Sequence, residues 1–511
     1  MTTLTLDGRS LTLADLLPAL EGRPLRLRVA PAAKERVRAA RRLVERAVRS
    51  GEAIYGLTTG FGRLKNVTIA RRHLASLQEN LVLSHCCGVG DPLPAGEVRA
   101  VQVLRLNGLV RGHSGVRLST VAKLVRLFHA GFVPVVPEQG SVGASGDLAP
   151  LAHLAAACMG HGEAWLGGRR QAARRALARL GEAPLALAAK EGLALLNGTE
   201  VMAAIGAGAW LRAARLAKGA DAVASLTIEA LLGSARPFDP RLAELAGHAG
   251  HARTAENVRR CLADSEVLAS HADCDRVQDP YSLRCIPQVH GAFKTALAHV
   301  GEVLAAEMNS VTDNPVLFPD TGEVISAGQF HGQPIATALD YLAIALCTLG
   351  NVSERRVEQL VNPDLSHLPS FLAAEPGLHS GLMLAQVTAA ALAAENRSLA
   401  HPASVESIPT SANQEDHVSM GTISARKLRA IVANTERIVA IEYLCAGQAR
   451  EFRPELSPGR GALAAYRLLR RHVAPLVRDR YLSPDLAQAG ELVRSGALVE
   501  AVEAAVGPLE S

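Results

Sequence analysis

Long segments rich in alanine and leucine, beginning at Thr199, constrain most strongly how this chain can fold. Alanine, leucine and valine supply most of the 48% hydrophobic residues, while aromatic residues make up only 3%. Alanine and leucine favour helices, and segments of this length are far longer than an ordinary β-strand. Most Asn, Pro, His and Gln residues lie in the loops between the segments, so we expect a mainly α, long-helix bundle with a site at its ends. The pattern predicts long helices near residues 199–232, 289–311, 328–361, 380–400 and 420–447.

The N-terminal part of the chain predicts a smaller α+β region. Apolar and polar side chains alternate over Thr2–Leu13, which predicts a β-hairpin, and Leu25–Val29 predicts a further strand. A helical pattern begins at Pro31, where proline suits the first turn of a helix. We therefore predict two regions, an N-terminal one over residues 1–196 and the long-helix bundle over residues 197–511.

Charge and hydropathy give no reason to expect nucleic acid or a membrane as partner. The 54 basic and 49 acidic residues leave a net charge of +5, and no basic run is interleaved with aromatic residues. The apolar stretch 201–232 contains Arg212, Arg215, Lys218 and Asp221, which predicts a buried helix and no membrane span. The N-terminus lacks a secretory pattern and the eight cysteines lack a framework spacing, which together predict a cytoplasmic protein.

The segment Gly140–Pro150 contains the most unusual chemistry that the sequence offers. Its small residues allow the backbone to fold back on itself, so the Gly146 amide nitrogen can attack the Ala144 carbonyl. If Ser145 then loses its hydroxyl as water, the product is a five-membered ring with an exocyclic methylene, which is an electrophile. Taken alone, the same residues also fit an ordinary glycine-rich turn before a helix.

Other candidate site residues lie in polar or glycine-rich loops between apolar helices. A phenol in such a loop can exchange a proton, and a rigidly held guanidinium can bind a carboxylate through two parallel hydrogen bonds. Each residue alone also fits a structural role in a turn or at a helix end. The candidates of this kind are Tyr55, His85, Asn197, Tyr281, Arg284 and Glu415.

One group of histidines and cysteines has spacings that zinc ligands can adopt. The helical pattern over residues 242–262 turns some of these side chains away from one another, so we predict no metal site. The group consists of His248, His251, Cys261, His271 and Cys274.

Taken in order, these segments resemble the aromatic amino acid ammonia-lyase family. The resemblance implies that Ala144-Ser145-Gly146 cyclises without help to a 4-methylidene-imidazole-5-one, with no external cofactor. It also implies a mostly helical homotetramer whose active sites are each assembled from several subunits. The matching segments are residues 55–62, 84–90, 143–148, 197–199, 278–288, 313–315, 330–332 and 413–420.

The resemblance also implies a role for each candidate residue in the deamination of an α-amino acid, which is a small-molecule substrate. Tyr55 and Tyr281 resemble the two essential tyrosines of the family; Tyr55 is the first candidate for the base that removes the β-proton, and Tyr281 is the alternative. Further residues would bind substrate or support the loop. Arg284 would hold the carboxylate, Asn197 would hydrogen-bond the electrophile or the substrate, Gln278 and Phe330 would line the pocket, and Asp147 would assist cyclisation.

Two positions bear on the substrate. The pair Ser84-His85 resembles the form found in the histidine-specific members, and the Glu415 carboxylate suits an imidazole N–H. We therefore expect conversion of L-histidine to trans-urocanate and ammonia. Leu57-Thr58 instead resembles members that act on aromatic rings, so a tyrosine or phenylalanine ammonia-lyase, or an aromatic 2,3-aminomutase, is the alternative.

Overall fold

The computed structural model of this chain describes residues 2–50, 59–60, 67 and 69–511. These residues form two compact units, and neither unit is one continuous segment. The first unit comprises Met1–Gly208, Gly301–Asp340 and Pro402–Arg426. The second unit comprises Ala209–Val300, Tyr341–His401 and Lys427–Ser511. The boundary near residue 196 stays a prediction.

The described chain is mostly helical, which confirms the predicted fold class at that level. Four long helices contribute residues to both units, namely Glu200–Ala230, Ile286–Met308, Gln333–Val361 and Gly421–Arg450. The other α-helices of the first unit are Leu17–Leu20, Pro31–Ser50, Leu74–Ser84, Ala95–Val110, Leu118–His129, Leu148–Cys158, Ala173–Arg179 and Glu191–Leu196. Those of the second unit are Pro240–Ala246, Ala249–Cys261, Glu266–Ser270, Tyr281–Arg284, Pro363–Ser366, Met383–Leu399, Arg460–His472, Ser483–Ser495 and Ala497–Val506.

The described β-strands all belong to small sheets in the first unit. Strands Val133–Pro134, Glu163–Leu166 and Arg169–Ala172 form an antiparallel sheet. The remaining sheets are two-stranded, pairing Thr2–Leu6 with Leu25–Val29, Val89–Pro92 with Pro137–Gln139, and Val316–Phe318 with Glu323–Ile325. Helices therefore supply most of the core, as in Pro31–Ser50, which begins at proline and buries Val37 and Val44 on one face.

The predicted N-terminal hairpin is wrong. Strand Thr2–Leu6 pairs in parallel with Leu25–Val29, whereas a hairpin would require antiparallel neighbours. The Asp7 carboxylate closes a tight turn by accepting hydrogen bonds from the backbone amides of Arg9 and Ser10. Thr12 and Asp15 then form a reciprocal cap that begins a short 3-10 helix. These local hydrogen bonds turn the chain away before a second hairpin strand can form.

One described helix, Gln333–Val361, has the length and mean hydropathy of a membrane-spanning segment. Within its most apolar window, 61% of the residues are buried inside the protein. That burial is typical of a core helix, whose apolar side chains pack against protein.

Candidate active site

The loop before Leu148 is compressed between two other segments of the first unit. Gly143 and Gly146 have φ of +71° and +72°, a region that favours glycine. A Cβ atom at Gly146 would lie 2.1 Å from the Gly198 carbonyl oxygen, and one at Gly143 would lie 2.2 Å from Ser419 Oγ. Both distances are far below van der Waals contact. At Gly146 the close approach of the Gly198 backbone requires glycine, and at Gly143 glycine makes room for the Ser419 side chain.

The polar groups of Ser145 are held from two sides. Its hydroxyl donates to Glu415 Oε1 at 2.9 Å, and its carbonyl accepts from Asn197 Nδ2 at 2.8 Å. Asn197 is only 3% exposed, and the neighbouring Ala144 is also buried. The Glu415 carboxylate thus accepts from the Ser145 hydroxyl, and the Asn197 amide donates to the peptide group that joins Ser145 to Gly146.

The backbone around Asn197 is fixed by a buried ion pair. Arg105 Nη1 donates to the Asn197 carbonyl at 2.7 Å and lies 2.8 Å from Glu200 Oε1. Both charged side chains are buried. Because the guanidinium bonds the peptide next to Gly198, this ion pair holds the segment against which Gly146 packs.

Asp147 caps the long helix Glu200–Ala230, although it directly precedes a different helix in the sequence. Its Oδ2 accepts from the amides of Val201 and Met202 at 2.9 and 3.0 Å, in the first turn of that helix. Its Oδ1 accepts from Thr422 Oγ1 at 2.6 Å. The carboxyl group therefore ties the loop to two long helices, and it satisfies amides that have no partner within their helix.

Complete burial raises the pKa of the Asp147 carboxyl to about 7. The bonds from Thr422 and the two backbone amides oppose that rise but do not cancel it, while the nearby Glu200 charge adds to it. The carboxyl therefore exchanges its proton near neutral pH, next to Ser145 and Gly146.

This shift predicts a pH-dependent stability. The folded pKa of Asp147 exceeds its usual value of 3.8, so its stabilising contribution is complete below about pH 4 and is lost as the pH rises through about 7. Between pH 4 and 7, the melting temperature of the native chain should therefore fall relative to that of Asp147→Asn. A constant difference between the two melting curves would contradict this assignment.

Asp239→Asn is a suitable control for that comparison. Bonds from the Arg241 side chain and backbone lower the pKa of Asp239 to about 2, so its contribution is lost only as the pH falls below 3.8. From pH 4 to 7 the difference in melting temperature between Asp239→Asn and the native chain should stay constant.

Several predicted residues line one cleft of about 210 Å³ in the first unit. His85 presents its ring there, and its Nδ1 donates to the Leu81 carbonyl at 2.8 Å. A neutral ring held in this way keeps an acceptor at Nε2. The lining residues are Leu81, His85, Ser145, Leu148, Leu193, Leu196, Asn197, Asn314, Phe330, Ser411 and Glu415.

Gln278, Tyr281 and Arg284 belong to the second unit. There the Arg284 guanidinium stacks over the Tyr281 ring at 4.5 Å, and its Nε donates to the Asp279 carbonyl at 2.9 Å. The two terminal nitrogens of Arg284 have no hydrogen bond to any described residue, and Tyr281 is 70% exposed. This leaves a phenol and a guanidinium fork open to a ligand. Tyr55 lies outside the described residues.

The structure adds two residues to this region, Thr410 and Thr422, that the sequence did not single out, and it places Asn314 of the matching segment 313–315 there as well. Thr410 donates to Glu415 Oε2 at 2.6 Å, and Thr422 bonds Asp147. Asn314 lines the cleft. Thr410 and Thr422 flank the polar run 411–420, but a hydroxyl beside a polar run is too common to indicate a partner.

The His and Cys group considered for zinc does not converge. His248 and His251 have ring centroids 4.7 Å apart, while both ring nitrogens of His271 face backbone carbonyls. Among the residues that the structure describes, no group of three or more His, Cys, Asp or Glu side chains is arranged to hold a metal ion.

Known proteins match nearly the whole chain. Residues 11–471 match the family described as aromatic amino acid lyase. The chain is 53% identical over 505 residues to a histidine ammonia-lyase of Symbiobacterium thermophilum, covering 98% of this chain and 99% of that protein.

Solved structures of similar proteins also match nearly the whole chain. A histidine ammonia-lyase of Trypanosoma cruzi matches with a TM-score of 0.92 and 42% identity, over 99% of this chain and 96% of that chain. A tyrosine aminomutase of Streptomyces globisporus matches with a TM-score of 0.93 and 36% identity, over 99% of both chains.

Proposed function

This chain belongs to the aromatic amino acid lyase family and is an ammonia-lyase, and we propose that its site converts L-histidine to trans-urocanate and ammonia. About half of its residues are identical to those of histidine ammonia-lyases over nearly the full length, which is the observation that carries the assignment. His85 and Glu415 line the same cleft and supply polar groups suited to an imidazole.

The described loop fits a self-formed methylidene-imidazolone at Ala144-Ser145-Gly146. In the proposed cyclisation, a bond forms between Gly146 N and Ala144 C. The Ala144 carbonyl oxygen leaves as water with the amide hydrogens of Gly146 and Ser145, which leaves a double bond between Ala144 C and Ser145 N. Ser145 then loses its hydroxyl and its α-hydrogen as a second water. The group supplies an electrophilic methylene carbon, which none of the ordinary side chains offers. Support for this comes from the compressed glycine backbone and from the hydrogen bonds on both polar groups of Ser145.

The roles of the remaining residues follow from their chemistry. Arg284 would bind the substrate carboxylate through its two terminal nitrogens, and Glu415 would accept a hydrogen bond from the imidazole N–H. A phenolate at Tyr55 or Tyr281 would take the β-proton as the amine leaves, which forms the double bond of urocanate. Gln278 would line the pocket.

We further propose that the active enzyme is a cytoplasmic homotetramer. All eight cysteines carry free thiols, which suits a reducing compartment. The second unit exposes large apolar side chains, among them Val277 at 98% and Tyr281 at 70%, and helix Met383–Leu399 exposes Leu384 and Val387. Because exposed apolar patches mark interaction surfaces, a further copy of the chain is the partner that we assign to them.

Mixing two inactive variants tests whether one site uses residues from different copies. Ser145→Ala lies in the first unit and Arg284→Met in the second. If a site takes these residues from different copies, tetramers co-assembled from both variants should regain activity in roughly a quarter of their sites. Co-assembly of Ser145→Ala with Glu415→Gln is the control, and it should restore nothing because these residues meet within one copy. Equal results from both mixtures would contradict shared sites.

Parallel incubation with three amino acids tests the substrate. L-histidine should yield urocanate, followed by its ultraviolet absorbance, together with an equal amount of ammonia. L-phenylalanine should release cinnamate at least about a hundredfold more slowly, because its ring has no hydrogen-bond donor for Glu415. L-tyrosine, whose phenol O–H is a donor at the end of a larger ring, should also release coumarate more slowly than L-histidine releases urocanate. Inert histidine would overturn the assignment. A β-amino acid appearing ahead of free ammonia would indicate an aminomutase.

A further inference from the structure

Thr410 and Glu415 are the two ends of a short closed loop in the first unit. The Thr410 amide donates to the Glu415 carbonyl at 2.9 Å, and the Glu415 amide donates to the Thr410 carbonyl at 3.3 Å. A third hydrogen bond joins the side chains, from Thr410 Oγ1 to Glu415 Oε2 at 2.6 Å. The backbone bonds fix where the glutamate lies, and the side-chain bond fixes how its carboxylate is turned.

The two carboxylate oxygens of Glu415 have different partners. Oε2 accepts from Thr410, whereas Oε1 accepts from the Ser145 hydroxyl at 2.9 Å. The proposed cyclisation removes that hydroxyl as water, so Oε1 loses its partner while Oε2 keeps its own. One carboxylate oxygen is then vacant on the cleft side, in an orientation that Thr410 still holds.

We propose that Thr410 is a positioning residue that sets ring specificity by holding Glu415 Oε1 ready for the imidazole N–H of the substrate. This role rests on the proposed function. A carboxylate fixed in this way forms a charge-assisted hydrogen bond with an imidazole ring. A phenyl ring offers no donor, so it would leave a desolvated carboxylate oxygen unpaired, which disfavours that substrate.

The alternative role for the Thr410 hydroxyl is purely structural, because the loop that Thr410 closes is strained and the hydroxyl can support it. Ser411, Ala412 and Asn413 have φ between +52° and +63°, a costly conformation for residues other than glycine. If the hydroxyl only supported this loop, its loss would disturb the cleft as a whole. If it orients Glu415, the loss would weaken the binding of imidazole and little else.

Thr410→Val and Thr410→Ser separate these readings. Valine keeps the branched shape and both backbone hydrogen bonds but has no hydroxyl, whereas serine keeps the hydroxyl and lacks the methyl group. For Thr410→Val we expect the KM for L-histidine to rise about tenfold, with kcat changed by less than about threefold. Thr410→Ser should stay within about threefold of the native KM.

Competitive inhibitors provide a readout that does not depend on turnover. Trans-urocanate carries the imidazole ring, while glycine carries only the amine and carboxylate. Thr410→Val should raise the inhibition constant of urocanate about tenfold and leave that of glycine unchanged. The intact mass of the variant should still lie two water molecules below the mass of its unmodified chain.

Each other outcome overturns the role of Thr410. An unchanged KM and an unchanged urocanate constant would show that the hydroxyl does not orient Glu415. Equal weakening of urocanate and glycine, or an unfolded Thr410→Val beside a folded Thr410→Ser, would assign it to loop structure. A variant chain that retains both waters would assign it to maturation. Native protein that fails to deaminate L-histidine would instead reject the proposed function itself.

Discussion

Replacing Ser145 by alanine should reduce kcat/KM for L-histidine by at least about a thousandfold. Alanine has no hydroxyl to lose as water, so the methylene carbon cannot form, and the remaining residues can bind substrate without activating it. The side chain of Ser145 makes one hydrogen bond, to Glu415, and is not fully buried, so its loss should leave the fold intact. Circular dichroism should therefore match that of the native protein while the urocanate signal disappears.

Ser310→Ala is the matched control for that loss. Its hydroxyl donates to the Ala306 carbonyl, in the same unit but outside the cleft. Activity should stay within about twofold of the native value. Substantial deamination of L-histidine by Ser145→Ala would contradict the assignment of the electrophile.

Gly146→Ala should cause the largest loss of stability among single methyl additions near the site. The new Cβ atom would lie 2.1 Å from the Gly198 carbonyl oxygen, and that backbone is fixed by Arg105. Relief of such an overlap requires backbone movement, so we expect a loss of more than about 3 kcal/mol, or failure to fold. The free energy of unfolding in urea is the measurement.

Gly131→Ala isolates the steric part of that effect. Gly131 has the same φ of +72° as Gly146, but a Cβ atom there would have nothing within 4 Å. Only the cost of the left-handed conformation remains, about 1–2 kcal/mol. Equal losses in the two variants would show that the close approach to Gly198 is not what requires glycine at position 146.

The long helices could be located from the sequence because composition and length suffice for them. The segments predicted near 199–232 and 420–447 are the helices Glu200–Ala230 and Gly421–Arg450. Within such helices the apolar side chains provide the buried surface, whichever elements they meet. The observed ends of these two helices agree with the predicted ends within a few residues.

Contacts between distant segments were not predictable in the same way. The cap of Glu200–Ala230 is the Asp147 carboxyl, which precedes it by more than fifty positions. The parallel partner of Thr2–Leu6 likewise comes from beyond an intervening helix. Single-sequence patterns carry local periodicity, and they do not record which segments fold against each other.

The same distinction between local patterns and contacts of distant segments applies to the candidate site. The sequence singled out Ser145, Asn197 and Glu415 separately, and the structure brings these three into hydrogen-bonding contact. Thr410 was missed because its importance lies entirely in its partner. The roles predicted for Tyr281 and Arg284 stay proposals. In the second unit, the Tyr281 phenol and the Arg284 guanidinium are accessible to a ligand.

The most direct test of the self-formed electrophile is the intact mass of the purified native chain. A self-formed electrophile lowers the mass by two water molecules relative to the unmodified sequence, with the deficit confined to a peptide containing Ala144-Ser145-Gly146. A native chain that deaminates L-histidine at the full unmodified mass would contradict it.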